Sequence, residues 1–111
     1  MTPVSADEAE GLQRLAHLRD QVFECDQEIV REIGLRSTLI REIDELKTRL
    51  GFPTHDPERD GAVVKRAVGL ATDQGVDVVL VEDLMWRIMG QRYRVLSIGG
   101  EGVPAETEGG A

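Results

Sequence analysis

Aromatic residues are scarce, at 4% of the chain. That excludes a nucleic-acid platform built on base stacking and a sugar cleft lined with rings. Cysteine is nearly absent. Cys25 stands alone, so no intramolecular disulfide can form, and there is no CxxC or Cys/His metal cluster. His17 and His55 lie far apart without ligand-like spacing, and both read as surface residues. No apolar run approaches the ~20 residues needed to cross a bilayer. The N-terminus has no basic segment followed by an apolar run, so a cytoplasmic location is expected. Bases are few against acids: 13 Lys and Arg face 21 Asp and Glu, a net charge of -8. Nucleic acid and anionic membranes would be repelled on average, and a small anionic ligand would need a local pocket of positive charge. A chain of 111 residues suggests one domain with a marginal core, for which oligomerisation would help.

Proline is missing from Glu8 to Leu50, and that stretch predicts a single very long helix. Its seam steps in fours and threes through Leu15, Arg19, Val22, Asp26, Ile29, Ile33, Arg36, Ile40, Ile43, Lys47 and Leu50. This is the spacing of a helix packed along its length against other helices. A helix this long cannot bury the stripe against itself, so it needs other helices or a second chain. Gly51-Phe52-Pro53 ends it. Asp56 caps a second helix, with Pro57 at its first position, running to about Gln74 over Val63, Val64, Ala67, Val68 and Ala71. Gly75 stops that helix. Asp77 caps a third, from about Val78 to Ser97, with Val81, Leu84, Met85, Ile88, Val95 and Leu96 on its buried face. The expected class is all-α, three helices per chain. Residues 1–7 are expected to be flexible and 8–98 to form the helical domain. Residues 99–111, rich in glycine and acid, are expected to be a disordered tail.

The seam carries three cations: Arg19, Arg36 and Lys47. Arg92 falls in the buried face of the third helix. One such residue could simply extend its head into water or set helix register. Three on one stripe ask for something anionic among them, because Asp26 alone cannot satisfy them and buried unpaired cations are costly. Arg36 and Lys47 are separated by roughly 16 Å along the axis and Arg19 lies about 25 Å before Arg36. Arg36 and Lys47 can bend over a ligand about one ring in size; Arg19 of the same helix cannot reach it. If two helices pair antiparallel around Ile29 and Ile33, Arg19 of one chain approaches the Arg36–Lys47 region of the other. That predicts a dimer with two equivalent sites. Asp56, Arg59 and Asp60 cluster in the first turn of the second helix, where capping explains the acids but not Arg59.

The order Leu18-Arg19, Asp26, Arg36, Lys47, Gly51-Phe52-Pro53, Asp56-Pro57-Glu58-Arg59-Asp60 and Gly75-Val76-Asp77 resembles the all-helical type of chorismate mutase, over about Leu12 to Leu96. The resemblance implies an intertwined helical homodimer that rearranges chorismate to prephenate on the route to phenylalanine and tyrosine. This is a pericyclic shift needing no metal or cofactor. It implies that Arg36, with Arg19 of the partner chain, grips the two carboxylates. Lys47 would donate to the ether oxygen and a carboxylate. The Asp56 backbone and Asp60 would hold the ring hydroxyl, and Arg59 would fix the polar network beside the site. Two positions depart from the family. Asp60 stands where glutamate is usual. Leu96 stands where a glutamine or glutamate usually donates to the ether oxygen, and Arg92, one turn earlier, is often serine. Arg92 is the candidate replacement donor. The departures keep two further readings open. One is an enzyme of the same fold acting on a chorismate relative, as an isochorismate-pyruvate lyase or an aminodeoxychorismate mutase. The other is a non-catalytic, metabolite-binding helical dimer. Docking onto another shikimate-pathway enzyme, as the resemblance implies for small members of the family, stays open; the tail offers a docking segment but reads first as a solvated flexible end.

Overall fold

The computed structural model describes residues 5–101, with side chains described for residues 5–90. It contains three helices, α1 (Ala6–Leu50), α2 (Pro57–Gln74) and α3 (Val78–Glu101). They fall into two compact units, Met1–Leu50 and Gly51–Ala111. The all-α expectation holds.

The first unit is α1 alone, 45 residues and roughly 67 Å long. It begins two residues ahead of the expected Glu8 because Ser5 and Glu8 close a reciprocal cap. The Glu8 N–H donates to Ser5 Oγ at 3.1 Å, and the Ser5 N–H donates to Glu8 Oε1 at 3.0 Å. Two N–H groups that the first turn would leave orphaned are thereby satisfied. The Ser5 backbone N–H first, and the Ser5 hydroxyl second, bond the Glu8 carboxyl and hold it below the usual glutamate range. At the other end Gly51 takes φ 79°, a left-handed conformation open to glycine without strain.

Solvent reaches nearly all of α1. Leu15, Val22, Ile29 and Ile33, the N-terminal half of the seam, are exposed. Only Arg36, Ile40 and Lys47 are half-buried and only Asp44 is buried. At about 100° per residue these four fall within an arc of about 80°.

In the second unit α2 packs against α3 through a short turn, Gly75-Val76-Asp77. The ends of α2 match the sequence expectation. Asp56 Oδ1 accepts the Arg59 N–H at 3.1 Å, and Pro57 sits at the first turn. Gly75 adopts φ 69°, and the Val76 N–H reaches back to the Ala71 carbonyl at 2.9 Å, which closes the helix end and reuses its last carbonyls. Asp77 Oδ1 then accepts from the N–H groups of Val79 and Leu80, capping α3.

Val64, Ala71 and Met89 are buried; Val63, Ala67, Val68, Val81, Met85 and Ile88 are half-buried. Leu84, expected on the buried face, is 46% exposed. It lies at one edge of the arc through Ile88, Val81, Met85 and Met89, and Met89, at the other edge, is the buried residue. The side chains of Val95 and Leu96, also expected on that face, lie outside the described residues. Helix α3 runs to Glu101, past the expected end near Ser97. Adding residues to an established helix costs little compared with starting one. The expected tail otherwise lies outside the described residues, as do residues 1–4.

Candidate active site

The candidate residues lie on α1, at the start of α2 and on α3. On α1, Arg36 and Lys47 share the shielded arc and are both half-buried. Helical spacing puts them on one face, three turns apart, so both heads can converge on the surface between them. Arg19 is exposed and stands seventeen residues before Arg36. On a straight helix that is about 25 Å, so α1 of one chain does not bring Arg19 to the other two. Asp26 is exposed as well.

At the start of α2, Asp56 is half-buried, Arg59 exposed and Asp60 buried at 8%. The Asp60 N–H donates to the Asp56 carbonyl at 3.0 Å, so Asp56 serves the first turn with both its side chain and its backbone. The capping requirement therefore fixes Asp56. It does not account for Asp60: a carboxylate shielded from water needs compensating partners, and a helix dipole alone is served equally well by an exposed acid. Arg92 and Leu96 belong to α3 by backbone, and their side chains lie outside the described residues.

One shielded residue escapes a reading of the sequence. Asp44 is 9% exposed, the sole buried residue of α1. It sits four residues after Ile40 and three before Lys47, beside the seam rather than in it. Stepping from Ile40 to Ile43 and Lys47 passes over it. An isolated aspartate in a polar helix is ordinarily a solvated residue.

These features can be set against known proteins. The family model described as chorismate mutase type II matches residues 18–95, 78 of the 111. The chain belongs to the chorismate mutase type II family. The match takes in Arg19, Arg36, Lys47, Asp56, Arg59, Asp60 and Arg92, and stops one residue before Leu96.

Among curated relatives, a protein of Methanocaldococcus jannaschii named chorismate mutase is 33% identical over 66 residues, which is 60% of this chain and 67% of that one. The T-protein of Enterobacter agglomerans is 33% identical over 79 residues, 71% of this chain and 21% of the relative. A bifunctional chorismate mutase/prephenate dehydratase of Aquifex aeolicus is 30% identical over 59 residues, 53% of this chain and 16% of the relative. The chain therefore spans about a fifth of the length of the T-protein it matches. No solved structure matches. Among the described residues no helix is long and apolar enough to cross a membrane.

Proposed function

We propose that the protein is a chorismate mutase, converting chorismate to prephenate for aromatic amino-acid synthesis. The observation that carries the reading is the pairing of family membership with the placement of Arg36 and Lys47, the two α1 cations partly withdrawn from solvent on a helix that is mostly open to it.

Chorismate carries two carboxylates and one ether bridge. The reaction breaks the C–O bond and forms a C–C bond within the same molecule, so the protein has to hold the compact reactive conformer. It also has to stabilise the negative charge growing on the ether oxygen. Arg36 takes one carboxylate in the two-pronged geometry that a guanidinium offers. Lys47 donates to the ether oxygen and the nearby carboxylate. Asp60 accepts from the ring hydroxyl, with the Asp56 backbone beside it, and Arg59 fixes their polar network. Arg92 supplies the second donor to the ether oxygen that Leu96 cannot supply.

The second carboxylate falls to Arg19 of a second chain. Support comes from the exposed seam of α1: Leu15, Val22, Ile29 and Ile33 make an apolar stripe that a monomer leaves in water. Antiparallel pairing of two α1 helices about Ile29 and Ile33 covers the stripe and carries Arg19 toward the partner's Arg36–Lys47 arc. The functional unit is then an intertwined homodimer in the cytoplasm.

The test is a substrate panel. Chorismate, isochorismate and 4-amino-4-deoxychorismate are each incubated with purified protein, and the products are identified by NMR. Prephenate from chorismate, faster than any conversion of the other two, is the expected result. Preference for either analogue would overturn the assignment in favour of a related reaction on the same fold. Binding without turnover would replace it with a metabolite-sensing role.

A further inference from the structure

The seam of α1 holds one acid, Asp26, among the cations Arg19, Arg36 and Lys47. Within its own chain Asp26 is exposed and stands ten residues from Arg36, about 15 Å along the axis, too far for an ion pair. Among the described residues the ion pairs of α1 join Arg31 to Glu28 and Glu32, and neither Asp26 nor Arg36 enters one. A charge in an otherwise apolar seam is costly once the seam is covered, unless an opposite charge meets it.

The proposed antiparallel pairing supplies that charge. When two copies of α1 cross between Ile29 and Ile33, the midpoint falls at position 31, and each residue faces one equally far beyond it. Asp26 lies five residues before the midpoint and Arg36 five after it. Asp26 of one chain therefore faces Arg36 of the other, twice in the dimer by symmetry. Both stand roughly 7 Å from the crossing, where the long arginine side chain spans the diverging helices. The same register sets Arg19 opposite Ile43 of the partner chain, between that chain's Arg36 and Lys47. In a parallel pair Asp26 would meet Asp26 and Arg36 would meet Arg36, so these charges oppose parallel pairing.

We infer that Asp26 is a positioning residue for Arg36 of the partner chain: its carboxylate takes one edge of the guanidinium and holds the other edge toward a substrate carboxylate. A guanidinium carries five donors in a fixed fork, enough for both acids at once. The contact rests on the proposed pairing, and its catalytic consequence on the proposed reaction. A carboxylate grip is the same in bound substrate and in the transition state, so loosening it raises KM and leaves kcat nearly unchanged.

The experiment distributes Asp26→Asn and Arg36→Ala over the two chains of differently tagged heterodimers, assayed before the chains exchange. With one substitution on each chain, the surviving Arg36 still faces an aspartate. With both substitutions on one chain and none on the other, the surviving Arg36 faces an asparagine. The first heterodimer is expected to keep the wild-type KM for chorismate at about half the kcat. The second should have the same kcat and a KM raised about tenfold, within the range of coupling between contacting residues. A structural effect of Asp26 alone would be equal in the two, so equal KM values would overturn the inference. The Arg36 Nε–H signal in NMR should move in the Asp26→Asn homodimer while that of Arg87 stays put. An unmoved Arg36 signal, or a monomeric wild-type protein, would also overturn it. If the wild-type dimer does not convert chorismate, the proposed reaction fails on its own, and the Arg36 signal still decides whether Asp26 holds Arg36.

Discussion

Replacing Ile29 and Ile33 together by serine should dissociate the protein. In the single chain Ile29 is 57% and Ile33 42% exposed, which together leave about one isoleucine side chain per chain in water. Pairing two chains about these positions would bury the equivalent of two. Full burial of one such side chain stabilises by about 1.5–3 kcal/mol, so the pair of positions contributes roughly 3–6 kcal/mol to association. The dissociation constant of the double variant should rise by about 10²–10⁴. Sedimentation velocity over a concentration series measures it directly, with circular dichroism alongside, since a chain whose long helix depends on its partner should lose helicity as it dissociates. Loss of dimer, with or without loss of helix, is the expected result. A wild-type protein that sediments as a monomer at micromolar concentration, or a variant dimer as tight as wild type, would refute the claim that this stripe joins two copies.

Single contacts have consequences of their own. The carbon titration of Glu8 should fall below the usual glutamate range in wild type and move part of the way back in Ser5→Ala, which removes the hydroxyl and keeps the backbone N–H that lowers it most. Because the folded value is the lowered one, the stabilisation of this helix end is present above the ordinary glutamate pKa and lost as pH falls through the lowered value. Met89→Ala empties a buried position of α3 and should cost about 2–5 kcal/mol in urea unfolding. Arg92→Ala should lower kcat by about 10²–10³; a rate unchanged from wild type would remove Arg92 from the reaction.

Helix boundaries are legible in the sequence because each is written in chemistry that acts locally. Asp56-Pro57 caps α2 and Asp77 caps α3, and Gly51 and Gly75 take the left-handed φ values that end a helix. The start of α1 is written just as locally, in the S-x-x-E pattern of Ser5-Ala6-Asp7-Glu8, but its polar neighbours give no apolar period to mark it as helix. Asp44 is not legible. Its burial depends on what shields one particular arc of α1, and neither its own identity nor the spacing of its neighbours records that. Leu84 and Met89 show the same limit: periodicity locates the buried face of α3, and packing chooses which of its edges is covered. For the site, the cation spacing places Arg36 and Lys47 on one arc. It also puts seventeen residues of helix between Arg19 and Arg36, so on the proposed reading Arg19 acts from another chain.

The most direct measurement is loss of chorismate absorbance with purified wild-type protein beside Arg36→Ala. The account predicts fast conversion by the wild type and its near abolition in the variant, with both proteins sedimenting alike. Equal rates in the two proteins, or no conversion above the uncatalysed background by the wild type, would contradict it.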